Sequence, residues 1–285
     1  MHKHAFNKPL PHYDPENKRL VYIGREATPD MWHNRWQITD ENIQTKLAVH
    51  SDSRVPRITA RYLRPQDGII LEGGCGFGGK VKSLSQAGYR VVGVDFDAQT
   101  VSCLNRNAPE LDIRLGDVRQ LPIADASVAG YWSLGVIEHF YDGFDEIARE
   151  MSRVIKPGGY LFLSHPYMSP LRRIKARLGR YPIYNGREKP ENFYQFALNH
   201  RAVIQALAPF GFKCCLFKWG PGLPGFNKEI FSPLAVAISG YNGKSRLIKG
   251  ARYILNKTFA PFTSHGCLMV FRLSQNTTQR PGGKK

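Results

Sequence analysis

Cysteine is scarce in this sequence and badly placed for any staple. Five occur, at positions 75, 103, 214, 215 and 267. None forms a C-x-x-C pair and the number is odd, which argues against a disulfide framework and against a zinc site. A reducing, cytoplasmic setting is the expectation. Long apolar runs are missing too. The longest candidate, Phe231–Gly240, holds a proline and falls well short of the ~18 residues that a membrane span needs. The opening MHKHAFNKPLPHYDPENKRL has no apolar stretch of the secretory kind. The third scarcity is acid. Residues 1–160 carry twenty Lys and Arg against twenty Asp and Glu, whereas residues 161–285 carry twenty basic residues and only Glu188, Glu191 and Glu229. The formal charge of +17 therefore comes entirely from the part after residue 160. Such one-sidedness points to an anionic partner: nucleic acid, a membrane surface or a phosphorylated substrate. The plainer alternative is a basic exterior that only aids solubility.

What is present is a regular alternation. Short apolar runs at Ile69–Leu71, Arg90–Val94, Ile113–Leu115, Ala129–Leu134 and Tyr160–Ser164 are bounded by Gly, Pro, Asp or Asn, as buried strands are. Helical stretches lie between them at Gly79–Ala87, Ala98–Asn107 and Gly143–Ile155. This order predicts an α/β fold with a doubly wound parallel sheet and helices on both faces. A helix is expected over residues 40–63 and another over Glu191–Phe210, with further strands at Phe212–Trp219 and Gly266–Leu273. Residues 1–40, broken by Pro9, Pro11, Pro15 and Pro29, read as an irregular arm. Its Tyr13, Tyr22, Trp32 and Trp36 must nevertheless pack on something. The expected organisation is an arm (1–40), a core (41–219), an insert acting as a substrate cap (220–265), a last strand (266–274) and a disordered tail (275–285).

The run Ile69-Ile70-Leu71-Glu72-Gly73-Gly74-Cys75-Gly76-Phe77-Gly78-Gly79 is a strand leading through glycines into a helix. Glycines permit a sharp turn and close approach of a ligand, and ligands of open parallel sheets bind beyond the carboxyl ends of strands. Spacing alone leaves the ligand open. Gly74-x-Gly76-x-x-Gly79, with Asp95 about twenty residues on, would also suit a dinucleotide. The later segments GDVRQLP (116–122) and RVIKPGGYLFLSHP (153–166) decide between the two.

Taken in series, these motifs resemble those of class I S-adenosylmethionine (SAM)-dependent methyltransferases, most of all the type 11 subfamily. ILEGGCGFGG resembles the first motif of that family, VVGVDFD the acidic second-strand motif, GDVRQLP the third, WSLGVIEHF the exit of the fourth strand and RVIKPGGYLFLSHP the entry to the fifth. The likeness covers about residues 60–165 and extends more weakly through residues 191–217. It implies a Rossmann-like, seven-stranded, mostly parallel sheet and the cofactor SAM. It also implies that Glu72, Gly74, Cys75 and Gly76 surround the methionine part of SAM. Asp95 would accept from the ribose hydroxyls, Phe96 would pack on adenine, and Asp117 and Val118 would meet the adenine edge. Ser133 and Leu134 would line the methyl-donor side. Two positions depart from the family: Gly73 replaces an apolar residue, and the acid common before the fourth strand is missing from Ser127-Val128-Ala129-Gly130.

SAM brings an electrophilic methyl, so the protein has to orient an acceptor and, where needed, remove its proton. His139, after the fourth strand, is the candidate base, since its pKa lies near neutrality. A positioning role for the Glu138–His139 pair stays open beside it. Tyr131, Tyr141, His165 and Tyr167 read as pocket walls, and no metal site is expected. Leu171–Leu178 and Arg246–Leu255 read as basic amphipathic helices that could lie on an anionic membrane, at its inner face, or could pack on the core in the ordinary way. The function expected is methyl transfer to a small-molecule or lipid-linked acceptor such as a glycan or isoprenoid. An RNA methyltransferase and a non-catalytic SAM-fold scaffold are the alternatives. Against the RNA reading, no N-P-P-Y-like motif or separate RNA-binding module is visible.

Overall fold

The computed structural model describes residues 9–49, 54–186, 188–230, 233–240, 243 and 245–275. Two compact units emerge. One comprises residues 1–26, 164–203 and 216–269, and the other comprises 27–163, 204–215 and 270–285.

In chain order the elements are β1 (Leu10–Asp14), β2 (Arg19–Ile23), α1 (Pro29–Trp36), α2 (Ile43–Val49), α3 (Arg54–Thr59), β3 (Ile69–Gly73), α4 (Gly79–Gln86), β4 (Val91–Asp95), α5 (Ala98–Asn107), β5 (Asp112–Leu115), β6 (Val128–Leu134) and α6 (Asp145–Val154). There follow β7 (Ile155–Pro166), α7 (Pro170–Arg177), β8 (Phe193–Ala197), α8 (His200–Leu207), β9 (Phe212–Trp219), α9 (Gly222–Glu229), α10 (Pro233–Gly240), α11 (Arg246–Thr263) and β10 (Gly266–Leu273). Seven strands form a sheet of order β5-β4-β3-β6-β7-β10-β9. Strands β5, β4, β3 and β6 run parallel, with Glu72 level with Gly93 on one side and Trp132 on the other. The expected mostly parallel, seven-stranded α/β sheet is present.

Residues 27–163 contain the parallel half of this sheet. Strands β3, β4 and β6 are buried on both faces, as parallel strands between helices must be, whereas the edge strand β5 buries only Ile113. Val81, Leu104, Ile113 and Cys75 fill one core cluster. Trp132 and Phe162 stack at 4.5 Å, and the Trp132 indole donates to Thr59 Oγ1 at 3.0 Å. Helix α5 starts where Asp97 accepts from the Gln99 amide and the Thr100 hydroxyl. Such caps satisfy amides that the first helical turn leaves unpaired.

Several expectations need correction. The arm is not irregular: β1 and β2 form a hairpin, and Thr28 caps α1 with Pro29 in its first turn, where proline is favoured. Pro11 is tolerated because β1 is an edge strand of the sheet β1-β2-β8. The helix expected over Glu191–Phe210 exists only from His200. Phe193–Ala197 is instead a strand paired with β2, with Phe193 and Phe196 both buried. Asn199, which accepts from the Arg201 amide, marks the true helix start. The helix expected over 40–63 is seen as α2 and α3, and residues 50–53 lie outside the described residues. So do residues 276–285 of the expected tail. The expected strands at 212–219 and 266–273 are found as β9 and β10, and the insert between them holds three helices.

The unit made of residues 1–26, 164–203 and 216–269 is organised around one acid. Glu229, buried at the end of α9, accepts from Arg172 Nε at 3.0 Å, Lys175 Nζ at 2.6 Å and Tyr181 Oη at 2.6 Å. Arg172 also donates to the Tyr167 carbonyl, to Tyr22 Oη and to His265 Nδ1. His265 Nε2 lies 3.0 Å from Glu229 Oε1, off the hydrogen-bond line. Its Nδ1 faces a donor, so the imidazole is neutral, and burial lowers its pKa. Burial works to raise the Glu229 pKa, but the His265, Lys175 and Tyr181 contacts and the Arg172 charge outweigh it and hold the carboxylate well below its usual range. The stability it contributes is present above pH 4.5 and is lost as pH falls further. Of the two readings open for α7, ordinary packing is the one its buried Leu171, Arg172 and Ala176 support, while Ile174 and Leu178 stay exposed. Replacing Glu229 with Gln leaves two cations without their counter-ion. Urea denaturation at pH 7 should show a loss of about 3–5 kcal/mol, as broken buried ion pairs do.

Candidate cofactor and acceptor site

The glycine loop is held to β4 by its own amides. Gly74 and Cys75 donate to the Val94 carbonyl at 2.8 and 3.0 Å. Gly76 donates to Asp95 Oδ2 at 2.7 Å, while Asp95 Oδ1 accepts from the Asp97 amide at 3.0 Å. Gly74 and Gly76 have φ of +73° and +53°, which favours glycine. A Cβ at Gly74 would come within 2.7 Å of Val136, and one at Gly76 within 2.9 Å of the Trp36 ring. With these three amides turned into β4, the loop does not present them as a cradle for a pyrophosphate.

The other expected residues gather at the carboxyl ends of β3 to β6. Gly116 donates to the Asp95 carbonyl at 2.9 Å, which brings the β5 exit, with Asp117 and buried Val118, beside Asp95. Phe96 is 42% exposed and available to a ring. Asp117 accepts from the Arg119 amide and guanidinium, which lower its pKa. Ser133 lies level with Gly73 and is fully buried, its hydroxyl without a partner; Leu134 follows it, half-buried. Cys75 is the exception. Its side chain belongs to the core cluster, and burial raises its thiol pKa, so only its backbone lies on the loop.

Glu72 is buried, and its Oε2 has no hydrogen-bond partner. Burial pushes its pKa up to about 8, against the opposing influence of Lys80. Glu138, in the 3₁₀ turn Ile137–His139, is in the same condition: buried, Oε2 unpartnered, and pushed up to about 8 by burial. His139 is half-buried, and its ring meets Trp32 edge-on with centroids 5.2 Å apart. The site thus contains residues that the sequence motifs missed. Trp32 and Trp36 on α1 cover His139 and Phe77, the latter at 6.2 Å in a T-shaped contact. His33 Nδ1 lies 3.6 Å from Asp97 Oδ2. The sequence signal was the two tryptophans in a segment otherwise read as irregular.

Three expected pocket walls prove to be packed away. His165 is buried with its Nε2 3.4 Å from Cys267 Sγ, and burial lowers its pKa to about 4. Tyr167 is likewise buried. Tyr131 lies inside the sheet, and its hydroxyl occupies the space that a side chain at residue 73 would need. That explains the departure noted at Gly73: the apolar residue usual in the family has been exchanged for a phenol reaching across from β6.

Comparison with known proteins agrees with this geometry. Residues 71–163 match the methyltransferase domain family of type 11. A Mycolicibacterium smegmatis protein named "Probable S-adenosylmethionine-dependent methyltransferase" is 33% identical over 205 residues, covering 70% of this chain and 69% of that one. The chain belongs to the class I SAM-dependent methyltransferases. Its cofactor is SAM. A fatty-acid O-methyltransferase of the same organism is 25% identical over 170 residues, covering 53% of this chain and 59% of that one. In fold, this methyltransferase is similar to a chain of the Haloferax volcanii complex between the Trm112 methyltransferase activator and a methyltransferase, with a TM-score of 0.55 at 16% identity over 87% of this chain and 99% of that one. Among the described residues no helix is long and apolar enough to cross a membrane, and no group of His, Cys, Asp and Glu is arranged to hold a metal.

The Gly73–Tyr131 contact makes a direct test possible. Gly73→Ala should cost roughly 1–3 kcal/mol, as overpacking does, and combining it with Tyr131→Leu should recover part of that loss in urea denaturation.

Proposed function

We propose that Glu72, Asp95, Phe96, Asp117, Val118, Ser133 and Leu134, with the backbone of Gly74, Cys75 and Gly76, hold SAM, and that the acceptor is a lipid or a lipid-linked molecule. The observation that carries the cofactor assignment is the pair Glu72 and Asp95 at one glycine loop. One is a buried carboxyl with an unpartnered oxygen, and the other is a carboxylate fixed by two backbone amides. A cationic amino group suits the first, and a vicinal diol, donating two hydrogen bonds, suits the second. When bound, SAM supplies the methyl as an electrophile. The chain's residues then have to orient the acceptor, exclude water and accept a proton where the acceptor loses one. We assign that last task to His139, which meets the Trp32 ring edge-on at the β6 exit, with Glu138 beside it as a positioning residue.

The lipid reading draws on two independent supports. The fatty-acid O-methyltransferase among its relatives acts, by its name, on a lipid. The unit of residues 1–26, 164–203 and 216–269 carries twenty Lys and Arg against six acids, a composition suited to meeting its acceptor at an anionic surface.

Two measurements test the cofactor assignment. Asp95→Ala should weaken SAM binding in calorimetry by roughly ten- to a hundredfold, the worth of hydrogen bonds to a charged group; unchanged affinity refutes the ribose role. At pH 7 a Glu72 with a pKa of about 8 holds its proton in the free protein. Pairing with an amino cation requires the carboxylate, so SAM binding should release about one proton. Calorimetry in buffers of different ionisation enthalpy reads this directly, and Glu72→Gln should abolish the release.

A further inference from the structure

Among the described residues, one side of helix α11 packs on α9 and a second apolar stripe is exposed. The partnered side is fixed tightly to α9. Asn256 Oδ1 accepts from the Leu223 amide at 3.1 Å, Thr263 Oγ1 donates to the Gly222 carbonyl at 2.7 Å, and Phe259 lies 5.3 Å from Phe226. The helices approach so closely that a Cβ on Gly222 or Gly225 would overlap the α11 backbone. These contacts set the rotation of α11 about its axis. Ile248 and Leu255, expected on one face with their apolar neighbours, are half-buried. Residues 247, 251, 254, 258 and 262 are spaced by four, three, four and four, so they form a single opposite stripe. It faces out: Leu247 is 86%, Ile254 63% and Phe262 43% exposed. The uncharged helix α10 adds Leu234, 71% exposed.

The charge beside this stripe is of one sign. Arg246 and Lys257 flank one edge of it, both exposed, and the Lys257 ammonium sits 4.7 Å over the Tyr253 ring. No Asp or Glu follows Glu229 in the sequence, and Glu229 is itself buried and engaged. A protein partner or a second copy of this chain would need an acidic rim around an apolar centre. The alternative chemistry that combines both features without specific pairing is an anionic lipid surface. There, apolar side chains enter the acyl boundary and Lys and Arg remain among the headgroups.

We propose that the outward stripe of α11, with α10, seats this methyltransferase on an anionic bilayer. The proposal deepens the reading of a lipid-linked acceptor and rests on it for its purpose. Helix α7 is not part of this surface, because Arg172 and Lys175 are bound to Glu229.

The test is co-sedimentation of the full chain with vesicles of mixed phosphatidylglycerol and phosphatidylcholine, against vesicles of phosphatidylcholine alone. Binding to the anionic vesicles only is expected, weakening about tenfold or more between about 50 and 500 mM salt. The double variant Leu247→Ser/Ile254→Ser should lose roughly tenfold or more in vesicle affinity, through loss of the inserted apolar area. Its SAM affinity and circular dichroism should stay unchanged. Arg246→Gln/Lys257→Gln should weaken binding and flatten its salt dependence. Three results would overturn the proposal. They are absence of binding to anionic vesicles, binding that Leu247→Ser/Ile254→Ser leaves intact, and a dimer that those serines dissolve. The first two leave SAM binding and methylation of a detergent-dispersed lipid untouched, so failure of the docking surface and failure of the functional reading can be told apart.

Discussion

Asp95 accepting the Gly76 amide is the interaction on which the candidate site depends. It closes the glycine loop against the end of β4 and keeps three loop amides directed inward. It also places one carboxylate where the exits of β3, β4 and β5 converge. Everything proposed for the cofactor follows from that closure. Glu72 stands immediately before the loop, Phe96 immediately after the acid, and Asp117 arrives through the Gly116 bond to the same residue. A loop with its amides facing outward would recognise phosphate. In the proposed site, recognition of an amino group and a diol falls to the carboxylates of Glu72 and Asp95 beside the loop.

The second unit achieves its order differently. Here most charges are positive, and a single buried acid gathers Arg172 and Lys175 together with Tyr181 and His265. Neutralising part of the cationic excess inside the unit ties α7 to the end of α9 through Glu229. Along α11, Arg246, Lys249 and Lys257 lie outside. Composition alone could report the excess but not its division between a packed centre and a surface, because both are written with the same residue types.

That limit runs through the relation between sequence and structure in this protein. The strands β3 to β6 and the helices between them were legible because burial on both faces imposes short apolar runs and because glycines, capping acids and turns punctuate them. Their motif residues gather at the carboxyl ends of β3 to β6. Strand β8 was missed because Phe193-Tyr194-Gln195-Phe196-Ala197 adjoins a helical stretch, and only the Asn199 cap separates them. The hairpin was missed because its partner, β8, lies some 170 residues away in the chain, and prolines that break helices are harmless at a sheet edge. Cys75 was placed correctly on the loop, yet its side chain turned to the core, since a position on a motif does not say which way the pleat directs it. The inward Arg172 of α7 was not legible for a related reason: a buried counter-ion over fifty residues away leaves no local trace.

The phenol of Tyr131 lying over Gly73 has a consequence for how this sequence can change with time. The two positions occupy one volume. A lineage that gains tyrosine at 131 must first have lost the side chain at 73, and one that regains an apolar residue at 73 must first exchange Tyr131 for a smaller side chain. The order of substitutions is therefore constrained even though neither residue needs to touch cofactor or acceptor. Related chains should divide into those with glycine and tyrosine together and those with neither, with few intermediates between them.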